Sequence, residues 1–298
     1  MLLRLALELA DRVATALPPG AAYRLADLAG DAWRRFAPAR RRLVAANLRR
    51  VCEATGRPSS GPSFLRLVRD AFRHHARYYL EILRGPHYPM EQIEEIVQVP
   101  RWATFEPLVR DRASILVSWH FGNPEPFASF LVAQRIPVLA PIEVIEPRVL
   151  FDFLVARRGA GHPELVDVRR AARPLAERLR SGGMVGVVAD RDLSGDGLPV
   201  TIFGHLTTMP AGPAWLALAH RSTLLAGSAV RVAPERFVAD GELVELPDSG
   251  DRRADILELT RRLAARFEAD VAAAPEQWWG AFQPVWPDLP SGGAGEVE

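Results

Sequence analysis

The pattern of apolar and polar positions divides the chain into two parts. Over residues 1–95, apolar positions recur at helical spacing, with proline- and glycine-rich breaks at 18–20 and 57–62. Further along, short apolar runs alternate with amphipathic runs, which is typical of a mostly parallel sheet covered by helices. We therefore predict an α/β fold with a central mostly parallel sheet flanked by helices at 96–286, preceded by an all-helical N-terminal region. The proline- and glycine-rich segment 287–298 predicts a disordered tail.

The alternation also predicts individual elements. Short apolar runs predict strands at 113–119, 136–140, 184–189, 199–203, 223–230 and 242–246. Amphipathic runs predict helices at 126–134, 147–158, 169–181, 211–220 and 251–274.

Composition narrows the classes of function. The chain has 298 residues and a formal charge of +1, so it has no overall positive electrostatic field that would attract nucleic acid. Every basic residue is arginine, so a Schiff-base lysine and a lysine-bearing phosphate loop are excluded. Cys52 is the single cysteine, which excludes an internal disulfide and predicts an inert thiol. No histidine pair has the spacing of a helical zinc motif, so we predict no metal and no bound cofactor.

The N-terminal segment bears on membrane association. No uninterrupted apolar stretch reaches the roughly 18 residues that a spanning helix needs. The segment 1–10 is apolar but interrupted by charges, and it lacks the basic start and cleavage site of a signal peptide. It predicts an amphipathic helix that either packs on the core or lies on a membrane. We expect the arginine-rich region 1–95 to face anionic lipid, as in a peripheral protein on the cytoplasmic side of the plasma membrane.

The candidate chemistry lies where the strand at 113–119 ends. His120 follows that strand, and Glu125 comes five residues later, beside a helix that opens on Pro126. Ligands bind at strand ends in open α/β sheets, and imidazole is suited to proton transfer near neutral pH. A carboxylate on the far ring nitrogen would fix the tautomer and stabilise the imidazolium. On a regular helix the two side chains would lie about 140° apart, so the pairing needs an irregular turn, which 122–124 (Gly-Asn-Pro) favours.

Two further segments follow apolar runs. The Asp-Arg-Asp segment at 190–192 follows the strand at 184–189, so we expect this strand end and that of His120 to face one cleft. An ordinary solvated turn is the alternative. At 203–214, a proline- and glycine-rich turn opens a helix whose N–H groups suit an oxyanion or phosphate, or are simply capped.

Taken together, these segments resemble the bacterial lysophospholipid acyltransferase-like family. That family includes the late acyltransferases of lipid A biosynthesis and the actinobacterial phosphatidylinositol mannoside acyltransferases. The segments 189–192 and 209–213 look most like the mannoside acyltransferase branch. Phe121, Pro124 and Glu125 depart from that branch's usual His-Ser-Gly-Asn-Trp-Asp. The motifs that carry the resemblance cover most of the chain: Arg40–Val51, Phe72–Glu81, His120–Glu125, the spaced Glu143, Pro147, Phe153, Arg157 and Gly161, then Ala189–Asp192, Met209–Pro213, Pro275–Trp279 and Gln283–Trp286.

The resemblance implies a membrane-associated acyltransferase. It would move a fatty acyl group from an acyl thioester, either acyl-CoA or acyl-carrier protein, to a hydroxyl of a glycolipid. A phosphatidylinositol mannoside is the first candidate acceptor, and a lipid A-type or other lysophospholipid acceptor is the alternative. His120 would act as general base with Glu125 as its partner, and N–H groups at the start of the following helix would stabilise the oxyanion. The residues expected to contact substrate are Glu143, Arg157, Asp190, Arg191 and Asp192.

Two other classes of function stay open at this point. A thioester or ester hydrolase could use the same histidine, although the chain has no G-x-S-x-G nucleophile elbow. A membrane-surface scaffold with a decayed site would need neither His120 nor Glu125, and both are present.

Overall fold

A computed structural model describes residues 2–157 and 163–289. The helices within those ranges are α1 (Leu2–Ala16), α2 (Pro19–Phe36), α3 (Pro38–Ala54), α4 (Gly61–Arg84), α5 (Ile93–Ile96), α6 (Trp102–Val109), α7 (Pro124–Ala133), α8 (Arg148–Arg157), α9 (Ala172–Arg180), α10 (Gly212–His220) and α11 (Arg252–Ala273). The strands are β1 (Val97–Gln98), β2 (Ser114–Ser118), β3 (Val138–Ile142), β4 (Glu164–Asp167), β5 (Met184–Val188), β6 (Leu198–Ile202), β7 (His205–Met209), β8 (Thr223–Ala233) and β9 (Arg236–Leu243). Short 3₁₀ turns occupy Gly85–His87, Met90–Gln92, Val168–Arg170, Pro275–Gln277 and Trp279–Phe282.

The centre of the protein is a seven-stranded sheet in the order β1-β9-β8-β2-β5-β3-β4. The five strands from β8 to β4 pair in parallel, whereas β9 runs antiparallel to β8. Helices cover the sheet, which is why β2 carries buried side chains at four of its five positions instead of alternating with polar ones. The predicted α/β class, with a mostly parallel sheet and helices before it, is confirmed.

Several strands differ from the prediction. The predicted strand at 199–203 is β6, but it pairs with β7 in a separate two-stranded antiparallel hairpin. The predicted strand at 242–246 overlaps only the last two residues of a longer strand, β9, whose earlier part contains Asp240 and Gly241 and so lacks an uninterrupted apolar run. The edge strands β1 and β4, of two and four residues, were not predicted, since so few residues show no period.

The N-terminal helices and the sheet share a hydrophobic core. Val44 and Leu48 of α3 and Phe72 of α4 belong to the same buried cluster as Ile115 and Val117 of β2. Burial recurs along α4 every three or four residues, so its apolar stripe faces the sheet side of the molecule. No helix in the described part of the chain combines the length and apolarity that crossing a bilayer requires.

The predicted tail begins with a packed turn. The N–H of Leu289 donates to the carbonyl of Trp286 at 3.1 Å, and the Leu289 side chain packs against the core. Asp288 pairs with Arg50 of α3. These contacts hold residues 287–289 against α3 and the core, and residues 290–298 lie outside the described residues.

Candidate active site

Strand register brings the two candidate segments together. In the parallel pair β2 and β5, Ser118 lies opposite Val188, and the N–H of Ala189 donates to the carbonyl of Ser118 at 2.9 Å. His120 and Asp190 each stand two residues beyond that last pair, at the same edge of the sheet. The two strand ends therefore meet at one edge of the sheet, as expected from their parallel register.

His120 and Asp190 form the centre of the site. The ring Nδ1 lies 2.6 Å from Oδ1 of Asp190, and the backbone N–H of His120 donates to the same oxygen at 2.9 Å. The carboxylate is almost fully buried, with 2% of its side chain exposed, whereas 18% of the imidazole is exposed. An ionised carboxylate only accepts hydrogen bonds, so it favours a proton on Nδ1, and in the neutral imidazole Nε2 then keeps its lone pair. That tautomer suits a general base.

Two sequence predictions about carboxylates are corrected here. We expected Glu125 to hold the imidazole and Asp190 to contact substrate, but Asp190 occupies the Nδ1 side of the ring. Glu125 is instead the second residue of α7, where its N–H donates to Oδ1 of Asn123 at 3.1 Å. The irregular turn does form, with Gly122 at φ +59°. It leads the chain into α7, whereas the carboxylate partner comes from β5, the neighbouring strand in the sheet.

The expected oxyanion donors are also corrected. Along the turn, the N–H of Phe121 donates to Trp119 (2.7 Å), that of Gly122 to the carbonyl of Gln277 (2.9 Å) and that of Asn123 to the carbonyl of Ala229 (2.8 Å). The two prolines at 124 and 126 carry no N–H. These amides hold the turn in place and are not aimed at a substrate.

The closing segment, residues 275–282, packs beside His120 and Asp190. The ring of Trp279 stands perpendicular to the imidazole of His120, with 4.5 Å between centroids. The N–H of Gly280 donates to the carbonyl of His120 at 2.8 Å. A Cβ on Gly280 would lie only 2.9 Å from Oδ2 of Asp190. The motif Pro275–Trp279 gives no sign that Trp279 and Gly280 meet His120, because that contact depends on tertiary packing.

The remaining predicted contact residues divide into two groups. Arg191 pairs with Glu143, which follows β3, at 3.3 Å, and both side chains are partly exposed beside the site. Asp192 instead accepts hydrogen bonds from the N–H groups of Gly195 and Gly197 and from the hydroxyl of Thr208. Burial raises the pKa of the Asp192 carboxyl, but these hydrogen bonds outweigh it and hold the pKa below its usual value. These hydrogen bonds give Asp192 a role in shaping the loop, and its contact with substrate stays a prediction.

Other candidate groups are less informative. Arg157 ends α8, and its side chain lies outside the described residues. Cys52 is fully buried, and burial raises the pKa of its thiol, so it is not poised as a nucleophile. Within 2–157 and 163–289, no group of three or more His, Cys, Asp or Glu side chains is placed to hold a metal ion.

Comparison with known proteins identifies the family of the chain. Residues 9–286 match the family model described as bacterial lipid A biosynthesis acyltransferase. The phosphatidylinositol mannoside acyltransferase of Mycolicibacterium smegmatis is 29% identical over 229 residues, covering 74% of this chain and 72% of that protein. The protein of the same name from Mycobacterium tuberculosis is 29% identical over 180 residues, covering 58% and 54% respectively. The resemblance predicted from the motifs is confirmed, and the chain belongs to the bacterial lipid A biosynthesis acyltransferase family.

Proposed function

We propose that this acyltransferase moves a fatty acyl group from an acyl thioester to a hydroxyl of a glycolipid at a membrane surface, with a phosphatidylinositol mannoside as acceptor. The observation that carries the proposal is the His120–Asp190 pair at the carboxyl ends of β2 and β5. A histidine whose far nitrogen is held by a buried carboxylate is suited to take a proton from an alcohol. The choice of acceptor rests on the two relatives that carry the mannoside name.

The proposed reaction is direct transfer. The acceptor hydroxyl attacks the thioester carbonyl while Nε2 of His120 takes its proton, and Asp190 stabilises the resulting imidazolium. The tetrahedral intermediate then collapses, the C–S bond breaks, and the departing thiolate takes the proton from the imidazolium. General-base assistance of this kind contributes about a hundred- to ten-thousandfold in rate. Because the thioester is already activated, no acyl-enzyme is required.

Arg191 and Glu143 are the proposed head-group contacts. Arg191 follows β5, the neighbour of the strand that leads to His120, and Glu143 follows β3, on the far side of β5; their side chains are 30% and 46% exposed. A guanidinium binds phosphate oxygens in a bidentate manner, and a carboxylate accepts from sugar hydroxyls. Their mutual ion pair would open when a phosphorylated sugar enters.

The first two helices are the proposed membrane contact. Leu5 and Leu9 of α1 are 55% and 63% exposed, and Leu28 and Phe36 of α2 are 66% and 79% exposed. Exposed apolar side chains on amphipathic helices favour insertion at a lipid interface. Arg35, beside Phe36, adds the cationic group that anionic head groups attract.

An acceptor panel tests the proposal. Purified protein is incubated with labelled acyl-CoA or acyl-carrier protein and one of three lipids: a phosphatidylinositol mannoside, phosphatidylinositol without mannose, or a lipid A precursor. Labelled mannoside, without labelled phosphatidylinositol, is the expected result. Labelled lipid A precursor alone would contradict the choice of acceptor. Free fatty acid as the main product would indicate a hydrolase, and no product with either donor would favour a scaffold.

A further inference from the structure

A buried ion pair lies behind the turn that carries His120. Arg231 of β8 donates from Nε and Nη2 to the two carboxylate oxygens of Glu81 on α4. Their side chains are 3% and 1% exposed. Burial lowers the pKa of Arg231, but Glu81 outweighs it and raises that pKa above its usual value, so the guanidinium stays charged. Because desolvation offsets most of the attraction, a buried pair of this kind adds little net stability.

Glu81 extends the pair to the turn itself. Its Oε2 accepts a hydrogen bond from the side-chain amide of Asn123 at 2.9 Å. Asn123 lies three residues after His120 and is 1% exposed. Its other amide atom, Oδ1, caps α7 by accepting from the N–H of Glu125. The Asn123 side chain is therefore held on both sides, and its orientation depends on Glu81.

Arg231 reaches the same turn from the other side. The side chain of Gln277 accepts from the backbone N–H of Arg231 at 2.9 Å and donates to its carbonyl at 3.0 Å. The backbone carbonyl of Gln277 in turn accepts from the N–H of Gly122 at 2.9 Å. A Cβ on Gly122 would lie 2.0 Å from the carbonyl oxygen of Ala229, so the turn sits directly against β8.

We propose that Glu81, held by Arg231, is a positioning residue for the reaction. It fixes Asn123, and Asn123 fixes the turn that aims the imidazole of His120 at Asp190 and at the acceptor. The helix α4 thereby sets the geometry of the base without touching substrate. The kinetic part of this inference rests on the proposed function.

Variants at Asn123 separate this role from simple helix capping. Asn, Asp and Ser are about equally good N-caps. A residue that only caps α7 would therefore tolerate Asn123→Asp and Asn123→Ser. A residue that links Glu81 to the turn would not, because serine cannot reach the Glu81 carboxylate and aspartate would repel it.

The test combines kinetics with a proton NMR signal that does not depend on turnover. The ring N–H shared by His120 and Asp190 is expected far downfield in the wild type and absent in His120→Ala. Asn123→Asp should weaken or remove that signal and lower kcat by about tenfold or more, with each KM changed by less than about threefold, as expected when transition-state positioning is lost. Asn123→Ser should weaken the N–H signal and lower kcat as well, but by less than Asn123→Asp does.

Asp31→Asn is the matched control. It removes the ion pair between Asp31 of α2 and Arg73 of α4, which lies on the same helix as Glu81. It should leave the N–H signal and kcat at wild-type values. Wild-type signal and kcat in both Asn123 variants would overturn the proposal, as would absence of the signal in the wild type. If the wild type acylates none of the acceptors, the proposed function fails, while the N–H signal still decides the positioning role.

Discussion

A single oxygen of Asp190, Oδ1, accepts both the backbone N–H and the ring N–H of His120, at 2.9 and 2.6 Å. The carboxylate therefore fixes both the backbone position of His120 and the orientation of its ring. Its own position is set by β5, which runs beside β2. The pairing of two strand ends thus assembles the proposed base and its carboxylate partner.

The first prediction compares two carboxylates. Asp190→Asn should lower kcat by about a hundredfold or more, since an amide can favour the wrong ring tautomer and cannot balance the imidazolium. Glu125→Gln should lower kcat by less than about tenfold, because Glu125 is not the partner of Nδ1. Steady-state transfer rates at saturating donor and acceptor measure both. A larger loss in Glu125→Gln than in Asp190→Asn would restore the pairing expected from sequence.

The second prediction concerns Gly280. A methyl group there would lie 2.9 Å from Oδ2 of Asp190 and 2.6 Å from Nε1 of Trp278, so the carboxylate must shift. Gly280→Ala should lower kcat by about tenfold or more, in line with the cost of small misplacements in an active site. Gly20→Ala is the control, because nothing lies within 4 Å of a Cβ at that position. Equal rates for the two variants would show that Asp190 tolerates the displacement.

The fold could be predicted from the sequence, and so could the position of His120 at a strand end, but the carboxylate that lies beside its ring could not. Apolar runs locate β2 and β5, and His120 stands directly beyond the first of them. The distance of 70 positions between His120 and Asp190 becomes a contact only through the parallel register of the two strands. Glu125 was chosen because it is near in sequence, and sequence proximity carries no information about that register.

The residues that hold the turn in place could not be predicted from sequence either. Glu81 and Gln277 stand about forty residues before and about 150 after the turn, and both reach it through packing of α4 and the closing segment. The motifs Phe72–Glu81 and Pro275–Trp279 marked these segments. They did not indicate that the two segments meet. The hairpin of β6 and β7 was missed in part because β7 is rich in threonine and has one face exposed.

The third prediction concerns pH and stability. Burial, with the nearby charges of Arg40 and His120, lowers the pKa of His75 to about 3. The pKa of histidine is about 6.5 in the unfolded chain, so folding disfavours protonation of His75. The corresponding contribution to the free energy of unfolding is fully present above about pH 6.5 and is lost as pH falls toward 3. His75→Phe lacks the proton-binding site and can keep the stacking on Tyr79.

Denaturant unfolding between about pH 6 and pH 4 measures the difference. The wild type should lose stability more steeply than His75→Phe, by up to about 1.4 kcal/mol per pH unit, the value for one proton. Comparing the two proteins cancels the contribution of the carboxyl groups they share. Parallel curves would show that His75 is protonated in the folded protein.

The fourth prediction concerns the proposed membrane face. Leu5 and Leu9 stand one helical turn apart on α1, and both are more than half exposed. Changing both to glutamine should weaken binding to vesicles of anionic lipid by about tenfold or more, given that a fully buried leucine contributes about 1.5–3 kcal/mol. Vesicle co-sedimentation measures it. Leu243→Gln, at an exposed leucine on β9, is the control and should bind as the wild type does.

The most direct measurement is the rate at which His120→Ala transfers a labelled acyl group from its thioester to the glycolipid. The imidazole is a partly exposed turn residue, so circular dichroism should show a folded variant, although the loss of the partner of the buried Asp190 carboxylate lowers the unfolding temperature. The transfer rate should fall by about a hundredfold or more, the usual scale of a lost general base. A folded His120→Ala protein that kept more than about a tenth of the wild-type rate would contradict the assignment of His120 as the base.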